Sequence, residues 1–163
     1  VRTSPSRRIL YEYGDIIKIK PIFDVHLGAK ACDEQAFKTF LEDCDDKTYF
    51  LGGGDLLDSI VTQDVRYRKS NDVTESDAIV DEQIHKAVKL LYPYREKILG
   101  LASGNHEDVI LKKCGTDPTR RICDELSIGL EKRVEYLGFS GLFKLKFRQQ
   151  FGRGRAIVIR YHH

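Results

Sequence analysis

The spacing of apolar positions divides the chain into alternating strands and helices. Residues 16 to 23 alternate and then turn apolar, which predicts a strand whose end delivers Asp24-Val25-His26 before Leu27-Gly28 breaks it. Asp33 is suited to cap a helix, with Ala36, Phe37, Phe40, Leu41 and Cys44 on one face at helical spacing. Tyr49-Phe50-Leu51 reads as a short buried strand, ended by Gly52-Gly53-Gly54 and Asp55. A second helix is expected from about Ala78 to Leu91, with Ile79, Val80, Ile84, Ala87, Val88 and Leu91 inward and Pro93 closing it. Lys97 to Leu101 is the next strand, and it runs into Gly104-Asn105-His106-Glu107, read as a polar loop. Asp117-Pro118 then supplies an N-cap and a first-turn proline for a third helix to about Ser127.

Beyond that point the pattern changes. Val134 to Tyr136, Leu142 to Phe147 and Ala156 to Tyr161 look like strands, the last two joined by a turn containing Gly152 and Gly154. The reading is an α/β first half followed by a β-rich, antiparallel-looking second half. Gln63 to Asp77 is too polar to pack and is expected to be a long surface loop.

Composition narrows the class. The 163 residues suffice for a single domain, spanning 1–163, with a real core. A net charge of +2 gives no global field that would announce a nucleic-acid or membrane partner. No apolar run has the length of a membrane span, and the first residues lack a signal peptide's apolar core. The four cysteines, Cys32, Cys44, Cys114 and Cys123, form no CxxC pair, so they read as reduced thiols in a cytoplasmic protein. His85 and the cysteines have ordinary structural readings.

Three predicted strands end in polar clusters: Asp24-x-His26, Gly54-Asp55-x-x-Asp58 and Gly104-Asn105-His106-Glu107. In an open α/β sheet ligands bind at the carboxyl ends of strands, so clusters distant in sequence can converge. Carboxylate, imidazole and amide donors together suit Mn, Fe or Zn better than a thiolate-seeking ion. Two neighbouring ions need a bridging carboxylate, and Asp55, on its glycine turn, is the natural choice. Chance weighs the three clusters differently. A D-x-H is expected roughly 0.5 times in such a chain, GDxxD roughly 0.1 times and GNHE roughly 0.0003 times, so the last carries most of the weight.

FDVHLG, GGGDLLD and SGNHED resemble the first three signature blocks of the calcineurin-like metallophosphoesterases, and AIVIRYHH fits the fourth. The resemblance implies a four-layer α/β/β/α sandwich and two divalent ions, Mn favoured over Fe or Zn. Asp24, His26 and Asp55 would hold one ion; Asp55, Asn105 and His162 would hold the other. It favours His162 over His163, leaving His163 a neighbour. His106 would protonate the leaving oxygen. Asp58 would orient a metal-bound histidine from behind, as would Glu107, although an aspartate at position 58 can equally cap the next segment. The family's final Gly-His-x-His block is absent, so the chain is expected to be truncated after His163.

The implied reaction is phosphoester hydrolysis by a metal-activated hydroxide. Phosphodiesters lead as substrates, with DNA or RNA the first candidates because Arg66 and Arg68 flank Tyr67 in the polar loop. Solvated loop charge is the plainer reading of those arginines. The alternatives are a phosphomonoesterase or protein phosphatase, and, in a different class, an inactive domain that binds a partner or nucleic acid through the same cleft.

Overall fold

A computed structural model of the chain describes residues 5–12, 14–60, 79–149 and 154–163. Along it run β1 (Ser6–Tyr11), β2 (Lys18–Phe23), α1 (Glu34–Glu42), β3 (Thr48–Gly54) and α2 (Ile79–Leu91), the last continued by a 3-10 turn over Tyr92–Lys97. Then come β4 (Ile98–Ala102), α3 (Asn105–Cys114), α4 (Pro118–Leu126), β5 (Glu135–Gly138), β6 (Ser140–Gln149) and β7 (Arg155–His162). The loop expected at Gln63 to Asp77, with Arg66 and Arg68, lies outside the described residues.

The molecule is mixed α/β with two sheets. Strands β2-β3-β4-β5 form one sheet, parallel throughout. The second has the order β1-β6-β7, with β1 parallel and β7 antiparallel to β6. A parallel sheet needs cover on both faces, and its central strands meet that demand: every residue of β4 is buried, as are all but Tyr49 in β3. Side chains alternate between the faces. Phe50 and Ile98 point to the helices, where they pack with Phe37 and Leu41 of α1, Ile84 and Leu91 of α2, and Ile122 and Leu126 of α4. Leu51 and Leu99 point the other way, into a core shared with Ile9, Phe143, Leu145 and Tyr161 of the second sheet. The described residues thus form three layers: helices, parallel sheet, mixed sheet.

Local chemistry sets the helix boundaries. Asp33 accepts from Ala36 N–H (2.9 Å) and Asp117 from Arg120 N–H (3.0 Å), each as an N-cap side chain. Helix α3 stops at Gly115, which takes the left-handed conformation at φ 69°.

One strand was not anticipated, and two expectations need correction. β1 is a strand in a stretch whose paired arginines hide its alternation; Arg7 turns inward to donate to Arg133 O (3.1 Å), while Arg8 faces solvent. The strand at 135–138 does not join the later strands. The α3–α4 connection is one more crossover, and it returns the chain parallel to β4. The segment beginning Asn105-His106-Glu107 is the first turn of α3 rather than a loop. No helix among the described residues is long and apolar enough to cross a membrane.

Candidate metal centre

The three polar clusters lie where β2, β3 and β4 end, because parallel neighbours bring their carboxyl ends to one edge. Asp24, His26 and Asp55 all adopt positive φ, at 49°, 51° and 48°. Such a conformation costs a non-glycine residue on the order of 1–3 kcal/mol, and Asp and His tolerate it better than most. A ladder between the two loops holds it in place. Asp24 N–H donates to Gly54 O (3.1 Å), His26 N–H to Asp55 O (3.1 Å) and Leu27 N–H to Leu56 O (2.9 Å). These strained residues turn their side chains toward one another instead of along the sheet.

Glycine permits the third loop to close on the second. A Cβ at Gly104 would stand 2.0 Å from Asp55 Oδ1, and one at Gly54 would stand 2.8 Å from Gly104 Cα. The side chain that fastens them is Glu107. Its carboxylate, 1% exposed, accepts from Asp55 N–H (3.2 Å), Leu57 N–H (2.9 Å) and Gly104 N–H (2.8 Å). Burial pushes the Glu107 carboxyl above the usual carboxylate range, opposed by the N–H groups of Leu57 and Gly104. Glu107 was expected to orient a histidine; it organises backbone instead. Three amides sharing one acid cannot be read from a sequence motif.

Asp55 is the hub. Its Oδ1 accepts from His106 N–H (2.9 Å). Its Oδ2 lies 3.9 Å from His26 Nε2, 4.0 Å from His106 Nε2 and 3.1 Å from His163 Nε2. His26 Nε2 is also 4.0 Å from Asp24 Oδ1, while its Nδ1 is 3.9 Å from Asp58 Oδ1. The His26 and His106 rings meet edge to face at 4.6 Å. His106 Nδ1 hydrogen-bonds to Asp58 O; a carbonyl only accepts, so this nitrogen carries the proton and Nε2 is directed to Asp55. Asp58 therefore positions His106 through its backbone, with its carboxylate 3.8 Å from the same nitrogen.

The structure brings Asp24, His26, Asp55, Asn105, His106 and His163 together, and it leaves His162 out. His163 Nε2 lies 3.0 Å from Asn105 Oδ1 as well as beside Asp55. His162 is exposed and makes no contact with the cluster among the described residues; the Phe139 ring lies about equally near both histidines, at 6.0 Å from His162 and 6.1 Å from His163. The choice of His162 is therefore corrected to His163, and the reason is the period of two along β7. Tyr161 points into the core between the sheets, so His162 must point out and His163 back in.

The cluster includes groups of His and Asp that could hold a metal ion. Most of its His–Asp gaps, at 3.8–4.0 Å, are too long for hydrogen bonds yet within the ~4.2 Å that two donors span across one ion at ~2.1 Å each. Two overlapping triads bring one donor atom from each residue within 4.8 Å of the others: Asp24, His26 and Asp55, and His26, Asp58 and His106. No Lys or Arg among the described residues pairs with Asp24 or Asp55. Beside the cluster opens a cleft of about 500 Å³, floored by Ala29, Ala31, Cys32 and Phe37. No family model matches the chain, and neither a curated protein nor a solved structure does.

Proposed function

We propose that this protein is a metal-dependent phosphoester hydrolase of the calcineurin-like kind, acting on phosphodiesters. The observation that carries the reading is the spacing of Asp24, His26 and Asp55: carboxylates and an imidazole from separate strand ends, 3.9–4.0 Å apart, too far to bond one another and close enough to share an ion. Asp24, His26 and Asp55 would hold one ion; Asp55, Asn105 and His163 would hold the second. Bound divalent ions supply Lewis acidity toward the phosphoryl oxygens and lower the pKa of water at the site.

The chain's own residues do the rest. Asp55 would serve both ions; it is held by Glu107, which accepts from its backbone N–H, and by His106 N–H, which donates to its Oδ1. His106, its Nδ1–H committed to Asp58 O, presents Nε2 to the reacting group and, when doubly protonated, donates from there to the departing oxygen. The apolar floor of the cleft, which has no Lys or Arg among its described residues, favours a singly charged diester with an organic substituent over a dianionic monoester.

The test uses the protein stripped with a chelator. Bis-ester hydrolysis should vanish on stripping and return with added Mn²⁺ at up to two ions per chain. Activity that survives complete metal removal, or a protein that takes up no Mn²⁺, overturns the reading.

A further inference from the structure

The outward face of the mixed sheet carries a concentration of charge that the catalytic reading does not use. Strands β1, β6 and β7 hold seven of the chain's 27 Lys and Arg and none of its 25 Asp and Glu. The rest of the sequence is left with twenty cations against twenty-five anions, so the positive excess of the chain is concentrated in these three strands. Five of the seven, Arg8, Lys144, Lys146, Arg148 and Arg160, alternate onto the outward face and are exposed. None of the five forms an ion pair with a described residue.

Register sharpens the picture. Arg8 lies directly opposite Lys146, a like-charge cross-strand pair that raises the free energy of the sheet. Lys144, Lys146 and Arg148 follow one another at about 7 Å along β6, with the neighbouring strands about 4.8 Å away. The exposed aliphatic residues of this face do not gather into a patch on which a helix could seat. Leu10 pairs with Arg148, Leu142 with Arg160 and Val158 with Lys144, so each is matched across the ladder to a cation. The outward row of β7, Val158, Arg160 and His162, leads to the sheet edge where His163 enters the metal cluster.

From this geometry we infer that the outward face of the mixed sheet binds the phosphate backbone of a single-stranded nucleic acid. Phosphates placed over the cation rows neutralise the Arg8–Lys146 repulsion, and a strand lying along β7 runs toward the Asp55 cluster. Only that last role, delivery of substrate, rests on the hydrolase reading; the docking claim does not.

The experiment is equilibrium binding of a fluorescein-labelled oligothymidylate with chelator present, so that hydrolysis plays no part and its failure would not be mistaken for failure of docking. Five phosphate contacts predict a slope of about −3.5 in log affinity against log salt, or about a hundredfold weakening between about 50 and 200 mM. Replacing Lys144→Gln, Lys146→Gln and Arg160→Gln together should reduce the slope to about −1.4. Acetylation of Lys144 and Lys146 in the unmodified protein, which needs no variant to fold, should be suppressed by bound oligonucleotide. A slope shallower than about −1, an unaltered slope in the folded triple variant, or unprotected lysines overturns the assignment. So does tighter binding of polyglutamate or anionic vesicles than of the oligonucleotide, which would give the face to an acidic protein or a membrane.

Discussion

Asp55 has three imidazoles within 4.0 Å of its Oδ2, and the histidines at positions 162 and 163 show how finely its surroundings are selected. His162 and His163 are chemically identical and adjacent, yet only His163 reaches Asp55 and Asn105. His163→Ala should therefore remove one equivalent of bound Mn²⁺, and His162→Ala should retain both, as measured by metal analysis after dialysis. Loss in the His162 variant alone would restore the assignment made from the motif. His106 carries a different prediction, because the proposed function gives it proton transfer rather than a place on the metal. His106→Ala should lower kcat on a bis-ester by roughly 10²–10⁴-fold at unchanged metal content. An unchanged kcat would remove the acid role. At this scale the sequence was informative about residue types: Asp24, His26, Asp55, Asn105 and His106 were all legible, because each sits in a polar block that interrupts an apolar run. The choice between positions 162 and 163 was not legible. It depends on which face of β7 looks inward, and that is set by the partner sheet.

The elements explain why the cluster is held in a strained form. Strands β2, β3 and β4 end together, but their loops must approach more closely than ordinary side chains allow, and glycine at 54 and 104 makes room. Helix α3 contributes more than His106: its first turn sends Glu107 beneath the loops to collect three amide protons. Glu107→Ala leaves those buried N–H groups without a partner, at about 1–3 kcal/mol for an unsatisfied group. Urea denaturation should show a loss of at least that size, with Mn²⁺ affinity weakened although Glu107 touches no ion. Glu107→Gln, which keeps acceptor oxygen at one of two positions, should fall between. Full Mn²⁺ affinity in the alanine variant would show that the clamp is dispensable. Strand and helix positions were largely readable from apolar periodicity: α1, α2, α4, β2, β3, β4, β6 and β7 all lie where it places them, within a few residues. The start of α3 was hidden because its first residues are polar and follow a glycine, a pattern that loops share with helix N-termini.

At the scale of the molecule, two sheets share one core and only one of them carries helices among the described residues. Phe143, fully buried, stands between the sheets with Leu51, Leu99 and Leu137. Phe143→Ala should cost about 3–5 kcal/mol, since this layer cannot collapse around the void without moving a whole sheet. A loss below about 1 kcal/mol, measured by denaturation, would mean that the two sheets are only loosely joined. The amino-acid sequence by itself determined the local facts: which stretches alternate, where caps and glycines end them, and which short blocks bring together carboxylate, imidazole and amide. These depend on neighbours a few residues apart, so the linear order preserves them. Only the tertiary structure decided the rest. It placed the N-terminal strand beside β6, returned β5 to the parallel sheet, sent Glu107 under three amides and turned His163 rather than His162 to Asp55. Each of those outcomes is a pairing between segments tens of residues apart, chosen by packing and backbone hydrogen bonding among all the strands at once, and no local pattern encodes it.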